Sequence, residues 1–576
     1  MLRNLFPILE WFPNYKKTYL IGDISAGITV GIMLVPQGMA YAMIAGLPPV
    51  FGLYASLIPQ LVYAIMGTSR QLAVGPVAMD SLLVASGLSA LSLSGMDEYI
   101  SMAIFLTLFM GSIQFFLGLL RMGFLVNLLS KPVISGFTSA AAIIIGLSQL
   151  KHLLGTSIKM SNQVHILLKN TLNTIEDTNL ITLTIGILAM IIMKKIKSVN
   201  RKIPGALIVV VLGVFSVYIF DLNEFGVKVI GVVPKGLPGF SLPTIDFSRI
   251  NELSSIAITL ALISFMESIS VAKAVEENHT EYEIDSNQEL LALGGANIIG
   301  AFFQSYPITG GFSRTAVNDQ AGAKTGIASI VSAAIVGLTL LFLTPLFYFL
   351  PNSVLAAIIM VAVFGLIDVR YPIRLFKNGK DEFLLLVITF VITLIVGLKE
   401  GMLLGILLSL LLLVYRSSKP HFAILGRIKE TNYFKNIDRF RNDVEISNSI
   451  LIIRFDAQLY FGNKDYFKNE LYKQIRKKEE TIKAVILNAE AINYIDSSAI
   501  HTLKTIIKDL QGQNIRFLIA GAIGPTRDIM YNSGLVDLMG KSNFFVVTSE
   551  AFENLTNKTE KNLLQEKVSL QVKNLM

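Results

Sequence analysis

Long apolar runs separated by short polar loops recur from about residue 20 to about residue 417. Each approaches the roughly 20 residues that an α-helix needs to cross a bilayer. Glycine, proline and charge breaks divide them into a first series near 24–43, 50–66, 75–92, 99–120, 132–150, 179–193 and 204–220. A second series lies near 253–274, 288–304, 312–321, 326–350, 352–368, 382–398 and 400–416. Two sets of seven predict a polytopic α-helical membrane protein with 14 transmembrane segments. The third member of each set differs from its neighbours. Segment 75–92 opens on Gly75 and Pro76, and segment 312–321 is too short and polar to span. Interrupted segments at matching positions in two halves mark the binding site of an inverted-repeat transporter. A faint echo pairs them: Ser69-Arg70 precedes Ala73-Val74, and Ser313-Arg314 precedes Ala316-Val317.

After Arg416 the apolar runs shorten and charge rises. Residues 418–446 read as a linker with some ordered structure. From 447 to 555, strand-like SILIIRFD, KAVILNAE and RFLIAG alternate with helix-like stretches, which predicts a small α/β sandwich. The tail 556–576 is charged and weakly amphipathic, so it reads as a short helix or a disordered end. At the other end, residues 1–20 lack the signature of a signal peptide and read as an interfacial lead-in on the cytoplasmic side. There Trp11, Phe6 and Phe12 lie beside Lys16 and Lys17, a grouping suited to the headgroup region.

Composition narrows the function. Of 576 residues 53% are hydrophobic and only 16% charged, which excludes an ordinary soluble enzyme on a single anchor. With no cysteine there is no thiol nucleophile and no thiolate metal site. The net charge of +8 does not point to nucleic acid, because the basic residues are shared between short loops and the last 150 or so residues. In a membrane protein such residues set orientation. Starting inside, the count places Arg70, Arg121, Lys131, Lys194, Lys195, Lys197, Arg201, Lys202, Lys324, Arg370, Arg374, Lys377 and Lys380 in the cytoplasm. Acidic Asp97, Glu98, Asp221 and Glu224 fall outside, with both termini cytoplasmic; the loop of Lys151, Lys159 and Lys169 is the exception. The five histidines have no metal-ligand spacing, and no P-loop, HExxH or nucleophile elbow is present. Neither enzyme chemistry nor ATP hydrolysis has residues to carry it.

The two interruptions carry the candidate chemistry. A helix N-terminus leaves unpaired N–H groups and about half a positive charge, so two such ends facing each other make a pocket for a small anion. Val74, Gly75, Pro76 and Val77 build the first end, and Gly310, Gly311, Phe312, Ser313 and Arg314 the second. Pro76 and Pro307 stop the incoming chain, and Ser313 offers a hydroxyl near the cap. Arg314 adds full charge if it faces the pocket rather than snorkelling. On the first span, Pro36, Gln37 and Gly38 read as a broken helix lining a cavity, and Tyr41 shares the face of Gln37 one turn on. Packing between helices is the alternative for the glycines and for Gln37. Glu267, in ALISFMESISVAK, is flanked by Ser264, Ser268 and Ser270 and is suited to trade a proton or to coordinate sodium. Asp80 is a second intramembrane acid, open to pairing with Arg314, to holding a cation, or to bonding neighbouring hydroxyls.

The stretches VPQGMAYAMIAGLPPVFGLYASLIP, GTSRQLAVGPVAM, FMESISVAKA and PITGGFSRTAVNDQAGAKTG resemble the SulP-type sulfate permease family over residues 15–417, and the soluble part resembles the STAS domain that follows in that family. The resemblance implies a seven-plus-seven inverted repeat with core and gate domains over 21–417, usually a homodimer, moving anions by an elevator-like shift. The implied anion site falls on Gln37, Tyr41, the backbone after Val74, and Phe312, Ser313 and Arg314. An acid at Glu267 resembles importers coupled to H+ or, alternatively, Na+, with no other cofactor. Asp80 has no counterpart in the pattern. In free-standing STAS proteins a serine in a D-S-[ST]-G turn is phosphorylated; here the turn is Asp496-Ser497-Ser498-Ala499, making Ser498 a possible phosphorylation site although Ala499 replaces the usual glycine. The expectation is a proton-coupled sulfate importer of the cytoplasmic membrane. Bicarbonate with sodium, dicarboxylates, an uncoupled channel, and an anion sensor signalling to a cytoplasmic protein partner through the STAS domain are the alternatives.

Overall fold

The computed structural model describes residues 5–556 apart from 90, 92, 125–129, 159, 160, 162, 200–204, 277, 278, 280 and 479–481. Lys159, Arg201 and Lys202 of the charge count, residues 90 and 92 of the third segment, residue 204 of the seventh, and the tail from 557 lie outside the described residues. The chain forms two compact units, Met1–Ser409 and Leu410–Met576.

In the first unit each apolar run is helical. The first series comprises α1 (Leu20–Ile44), α2 (Val50–Tyr54), α3 (Ile58–Met66), α4 (Ala78–Ser89), α5 (Met96–Leu119), α6 (Lys131–Ser148), α7 (Leu180–Val199) and α8 (Gly205–Phe220). The second comprises α9 (Ile250–Glu276), α10 (Ser286–Ala301), α11 (Phe312–Gln320), α12 (Ile327–Leu338), α13 (Asn352–Phe364), α14 (Lys380–Ile395) and α15 (Leu398–Ser418), which ends past the boundary between the units. Among the described residues six stretches, Lys17–Ile44, Met96–Leu119, Lys131–Leu154, Phe247–Glu276, Ile327–Phe347 and Glu400–Ser418, are long and apolar enough to cross a membrane by length and composition. Among the helices outside the fourteen runs, Val164–Leu172 and Arg370–Asn378 mix polar and apolar residues and so escape a search for apolar runs. The run at 326–350 is not one helix. After Leu338 it widens into a π turn, Thr339–Leu343, and then tightens into a 3-10 turn over Thr344–Phe347, where Pro345 supplies no N–H.

Small residues set the helix contacts. A methyl on Gly27 of α1 would lie 2.5 Å from the Ala328 carbonyl oxygen of α12, and one on Gly31 would lie 2.8 Å from Ile335 Cβ. Likewise one on Gly294 of α10 would meet the Phe115 nitrogen of α5 at 2.5 Å, and one on Gly136 of α6 the Leu386 oxygen of α14 at 2.6 Å. Glycine is what lets these backbones approach in a bilayer, where no hydrophobic force joins one helix to another. Buried acids tie the ends of helices to loops. Glu289 accepts from the Tyr63 hydroxyl at 2.7 Å, the Thr68 hydroxyl at 2.6 Å, and the Thr68 and Ser69 N–H groups at 2.7 and 3.1 Å. Asp23 accepts from the Lys324 and Thr325 N–H groups at 2.6 and 3.0 Å and from the Thr325 hydroxyl at 2.7 Å, joining α1 to the start of α12.

The second unit is an α/β domain on a seven-stranded sheet. Its strands are β3 (Phe422–Ile428), β4 (Phe434–Asn436), β5 (Val444–Glu445), β6 (Ile450–Phe455), β7 (Ala484–Asn488), β8 (Arg516–Ala520) and β9 (Phe544–Phe545). They run β4-β3-β6-β7-β8-β9, with β5 also on β3 and β6 to β9 parallel. Residues 418–446, read as a linker, therefore carry three strands: FAILGRI pairs antiparallel with β6, Phe422 opposite Phe455. Gly426 and Arg427 interrupt its apolar run among charged neighbours, which hid it. β6, β7 and β8 are nearly unbroken apolar runs because both faces are covered. One face packs Ile453, Phe455, Val485, Leu487 and Ile519 against Phe467, Leu471, Leu503 and Ile506 of the helices at 464–477 and 497–512; the other gathers Leu425, Ile452, Ile486, Leu518, Ala551 and Leu555.

Candidate anion site

Two residues from each interruption form a minimal sheet. β1 (Val74–Gly75) pairs antiparallel with β2 (Thr309–Gly310), Val74 opposite Gly310 and Gly75 opposite Thr309. The half-helices α4 and α11 begin just beyond these strands, so their N-terminal ends lie at one place. The Gly311 N–H donates to the Ala73 oxygen at 3.0 Å, and the Ala73 N–H donates to the Thr315 hydroxyl at 3.0 Å. The junction is thus stitched on both sides of the pair.

A buried polar network holds it from behind. On α9, the Ser268 hydroxyl accepts from the Gly310 N–H at 2.8 Å and meets the Thr309 hydroxyl at 2.8 Å, while Thr309 donates to the Ser264 oxygen at 2.7 Å. The Ser264 hydroxyl accepts from Gln114 at 2.7 Å, and Asn297 bridges the Gln114 side chain at 3.2 Å to the Ile308 N–H at 3.0 Å. Helices α5, α9 and α10 therefore fix the backbone of 308–310, satisfying the polar groups that a non-helical segment exposes at this depth.

Arg314 crosses from the second interruption to the first. Its Nη1 donates to the Pro76 oxygen at 2.8 Å, while its buried Nε and Nη2 have no partner among the described residues. Gly311 makes room for it: a methyl there would lie 2.7 Å from the guanidinium carbon, and one on Gly75 would lie 3.6 Å from Nη2. Arg314 is buried and does not snorkel, whereas Phe312 and Ser313 are exposed at the start of α11. Val74, Gly75 and Pro76 are buried and Val77 is partly so.

Gln37 and Tyr41 are buried on α1, which packs against α4 and α11. Pro36 does not break that helix, contrary to expectation: α1 is continuous from Leu20 to Ile44. Close packing sustains it, for a methyl on Gly38 would stand 2.9 Å from the Gly52 oxygen of α2. Tyr41 is near enough to Arg314 and Glu267 to interact with both electrostatically. Glu267 interacts with Arg314 through space, and its buried Oε2 has no partner. Asp80, in the first turn of α4, is wholly buried, and neither oxygen has a partner. Of its three open roles, pairing with Arg314 and bonding to a hydroxyl are not seen. Tyr306 joins the group unannounced, its hydroxyl 3.1 Å from that of Ser81 and within electrostatic reach of Arg314, Tyr41 and Asp80. Ser498 lies apart in the second unit, in the first turn of helix 497–512, where Asp496 caps the Ala499 N–H at 2.8 Å.

With facing half-helices and a buried arginine in place, comparison with known proteins decides the kind of molecule. The sulfate permease family model matches residues 20–389. The chain belongs to this family. A STAS domain matches residues 441–551, so this sulfate permease carries the soluble domain as well. It is 38% identical over 98% of its length to "Sulfate transporter 4.1, chloroplastic" of Arabidopsis thaliana, of which it covers 84%, and 33% identical over 97% to "High affinity sulfate transporter 2" of Stylosanthes hamata, of which it covers 87%. It superposes on the murine Slc26a9 anion transporter in the inward-facing state with a TM-score of 0.88 at 25% identity, covering 96% of this chain and 94% of that one. The transmembrane domain of the cyanobacterial bicarbonate transporter BicA shares the fold, with a TM-score of 0.58 at 23% identity over 69% of this chain and 98% of that one. This sulfate permease is a multi-pass membrane transporter and not an enzyme.

Proposed function

We propose that the chain is a secondary active transporter that imports sulfate across the cytoplasmic membrane by proton symport, with the half-helix core moving between the two sides in an elevator-type cycle and two copies forming a homodimer. The observation that carries the substrate class is Arg314. A buried guanidinium with Nε and Nη2 unpartnered among the described residues, set between two helix N-termini, leaves charged donors to an oxyanion. Sulfate offers four oxygens to such donors. The curated relatives named as sulfate transporters favour it over bicarbonate, whose carrier BicA is a likeness of fold alone. Glu267 is the coupling group: an acid facing Arg314 through space can be neutralised by a proton when the anion arrives.

Equilibrium binding of labelled sulfate to the purified protein tests the site, with unlabelled bicarbonate as competitor. Wild type binds sulfate, excess bicarbonate competes poorly, and Arg314→Ala loses binding while remaining monodisperse in detergent. Undiminished binding by Arg314→Ala, or a site that takes bicarbonate and not sulfate, contradicts the proposal.

A further inference from the structure

Asp80 has no part in the anion site as built, yet it occupies a costly position. Both oxygens are buried and neither accepts a hydrogen bond from any described residue. It lies in the first turn of α4, where a helix end favours negative charge, but no backbone N–H reaches it to realise that benefit. The ionisable groups around it are Glu267 of α9 and Tyr306 ahead of β2, with Tyr41 of α1 and Arg314 of α11 beyond them. Its charged neighbour in the electrostatic sense is thus another acid, Glu267, and not the arginine. Two buried carboxylates within electrostatic reach of each other cannot both carry charge cheaply. No described group bonds to either Asp80 oxygen, and a proton needs only one of them.

Resting on the reading of the chain as a proton-coupled sulfate carrier, we infer that Asp80 is a second proton carrier, so that Asp80 and Glu267 each take one proton on the loading side and each release it on the other. The charges then balance. Sulfate brings two negative charges; one proton on Glu267 leaves one net negative charge to cross, and a second on Asp80 leaves none. A two-proton carrier is indifferent to membrane potential, while a one-proton carrier must move a negative charge against an inside-negative potential.

The test uses the full chain in proteoliposomes with the potential clamped by potassium and valinomycin, and reads the plateau of labelled sulfate. At zero potential and a gradient of one pH unit, two protons support about 100-fold accumulation and one proton about 10-fold. Wild type reaches the higher plateau and holds it when an inside-negative potential is imposed. Asp80→Asn, which keeps the shape of the side chain, reaches the lower plateau and loses about 50-fold of it per 100 mV. Asp80→Asn that keeps the wild-type plateau and its indifference to potential overturns the inference, as does wild type that stops at the one-proton plateau. The second reading needs no variant, so it stands even if Asp80→Asn fails to assemble. Wild-type uptake that ignores the proton gradient is a separate outcome: it removes the proton coupling proposed above, and the role of Asp80 with it.

Discussion

Arg314 shows how much one side chain can organise at membrane depth. Its Nη1 is committed to the Pro76 carbonyl, which fixes the guanidinium across the two interruptions, and its remaining donors are what an anion would meet. Hydrogen bonds to a charged group are each worth roughly 1.5–3 kcal/mol. Arg314→Ala is therefore expected to weaken sulfate binding by about 10- to 100-fold or more, and Arg314→Lys to recover only part, since an ammonium cannot bond Pro76 and an oxyanion in one plane. Titration calorimetry measures both. For Glu267→Gln, gradient-driven accumulation falls to what one remaining acid, Asp80, can support, while sulfate–sulfate exchange persists, because exchange needs binding and movement but no net proton transfer; paired uptake and counterflow assays separate the two. Residues of this kind were conspicuous in the sequence, since an arginine, a glutamate or a glutamine inside an apolar run has few reasons to be there. Tyr306 and Thr309 were not, because a tyrosine after a helix and a lone threonine are ordinary packing residues in a membrane, and Ser268 stood out only as a neighbour of Glu267. Only the fold reveals that Ser268 and Thr309 hold the Gly310 backbone.

Among elements, the half-helices were legible because a short polar segment cannot span a bilayer, while Pro36 misled. A proline inside a helix removes one hydrogen bond, but neighbouring helices can keep the chain helical, as α2 does for α1 through the Gly38–Gly52 contact. That contact is tight enough to make a forecast: a methyl on Gly52 would stand 1.9 Å from the Gly38 oxygen. Gly52→Val should force α2 away from α1 and cut the yield of monodisperse protein severely, by more than Gly231→Val, where a side chain meets open space but takes an unfavourable positive φ. Fluorescence-detected size exclusion compares them. Glu289→Ala orphans four donors joined between α3, the following loop and α10. Each buried orphan costs about 1–3 kcal/mol, so a clear drop in melting temperature is expected, with Glu289→Gln losing less.

For the molecule as a whole, the change of composition near Arg416 separated the membrane part from the soluble part but misplaced where the second sheet begins. β3 is seven residues long, but Gly426 and Arg427 interrupt its apolar run and its neighbours are charged, so it does not stand out until its partner β6 is known. Its edge is pinned by His421 and Arg454, which bond Asp456 at 2.8 and 2.5 Å. Partial burial pushes the Asp456 carboxyl up, but these hydrogen bonds and charges outweigh it and hold it below the usual aspartate range. Stability from this group is therefore present above the ordinary aspartate value and lost as pH falls through the lowered one. Residues 418–556, expressed alone, should fold and then melt at falling temperature as the solution is acidified past about pH 4, and Asp456→Asn should flatten that acid limb.

On the proposed function, facing half-helices and Arg314 bind sulfate while buried acid drives it uphill. Uptake of labelled sulfate into proteoliposomes under an imposed inward proton gradient, with a sodium-gradient arm alongside, tests it most directly. Proton-driven accumulation above the equilibrium level, absent from Arg314→Ala and lowered in Glu267→Gln, is the expected result. Sulfate that only equilibrates, accumulation that follows sodium and ignores protons, or an Arg314→Ala protein that transports as wild type does would contradict it.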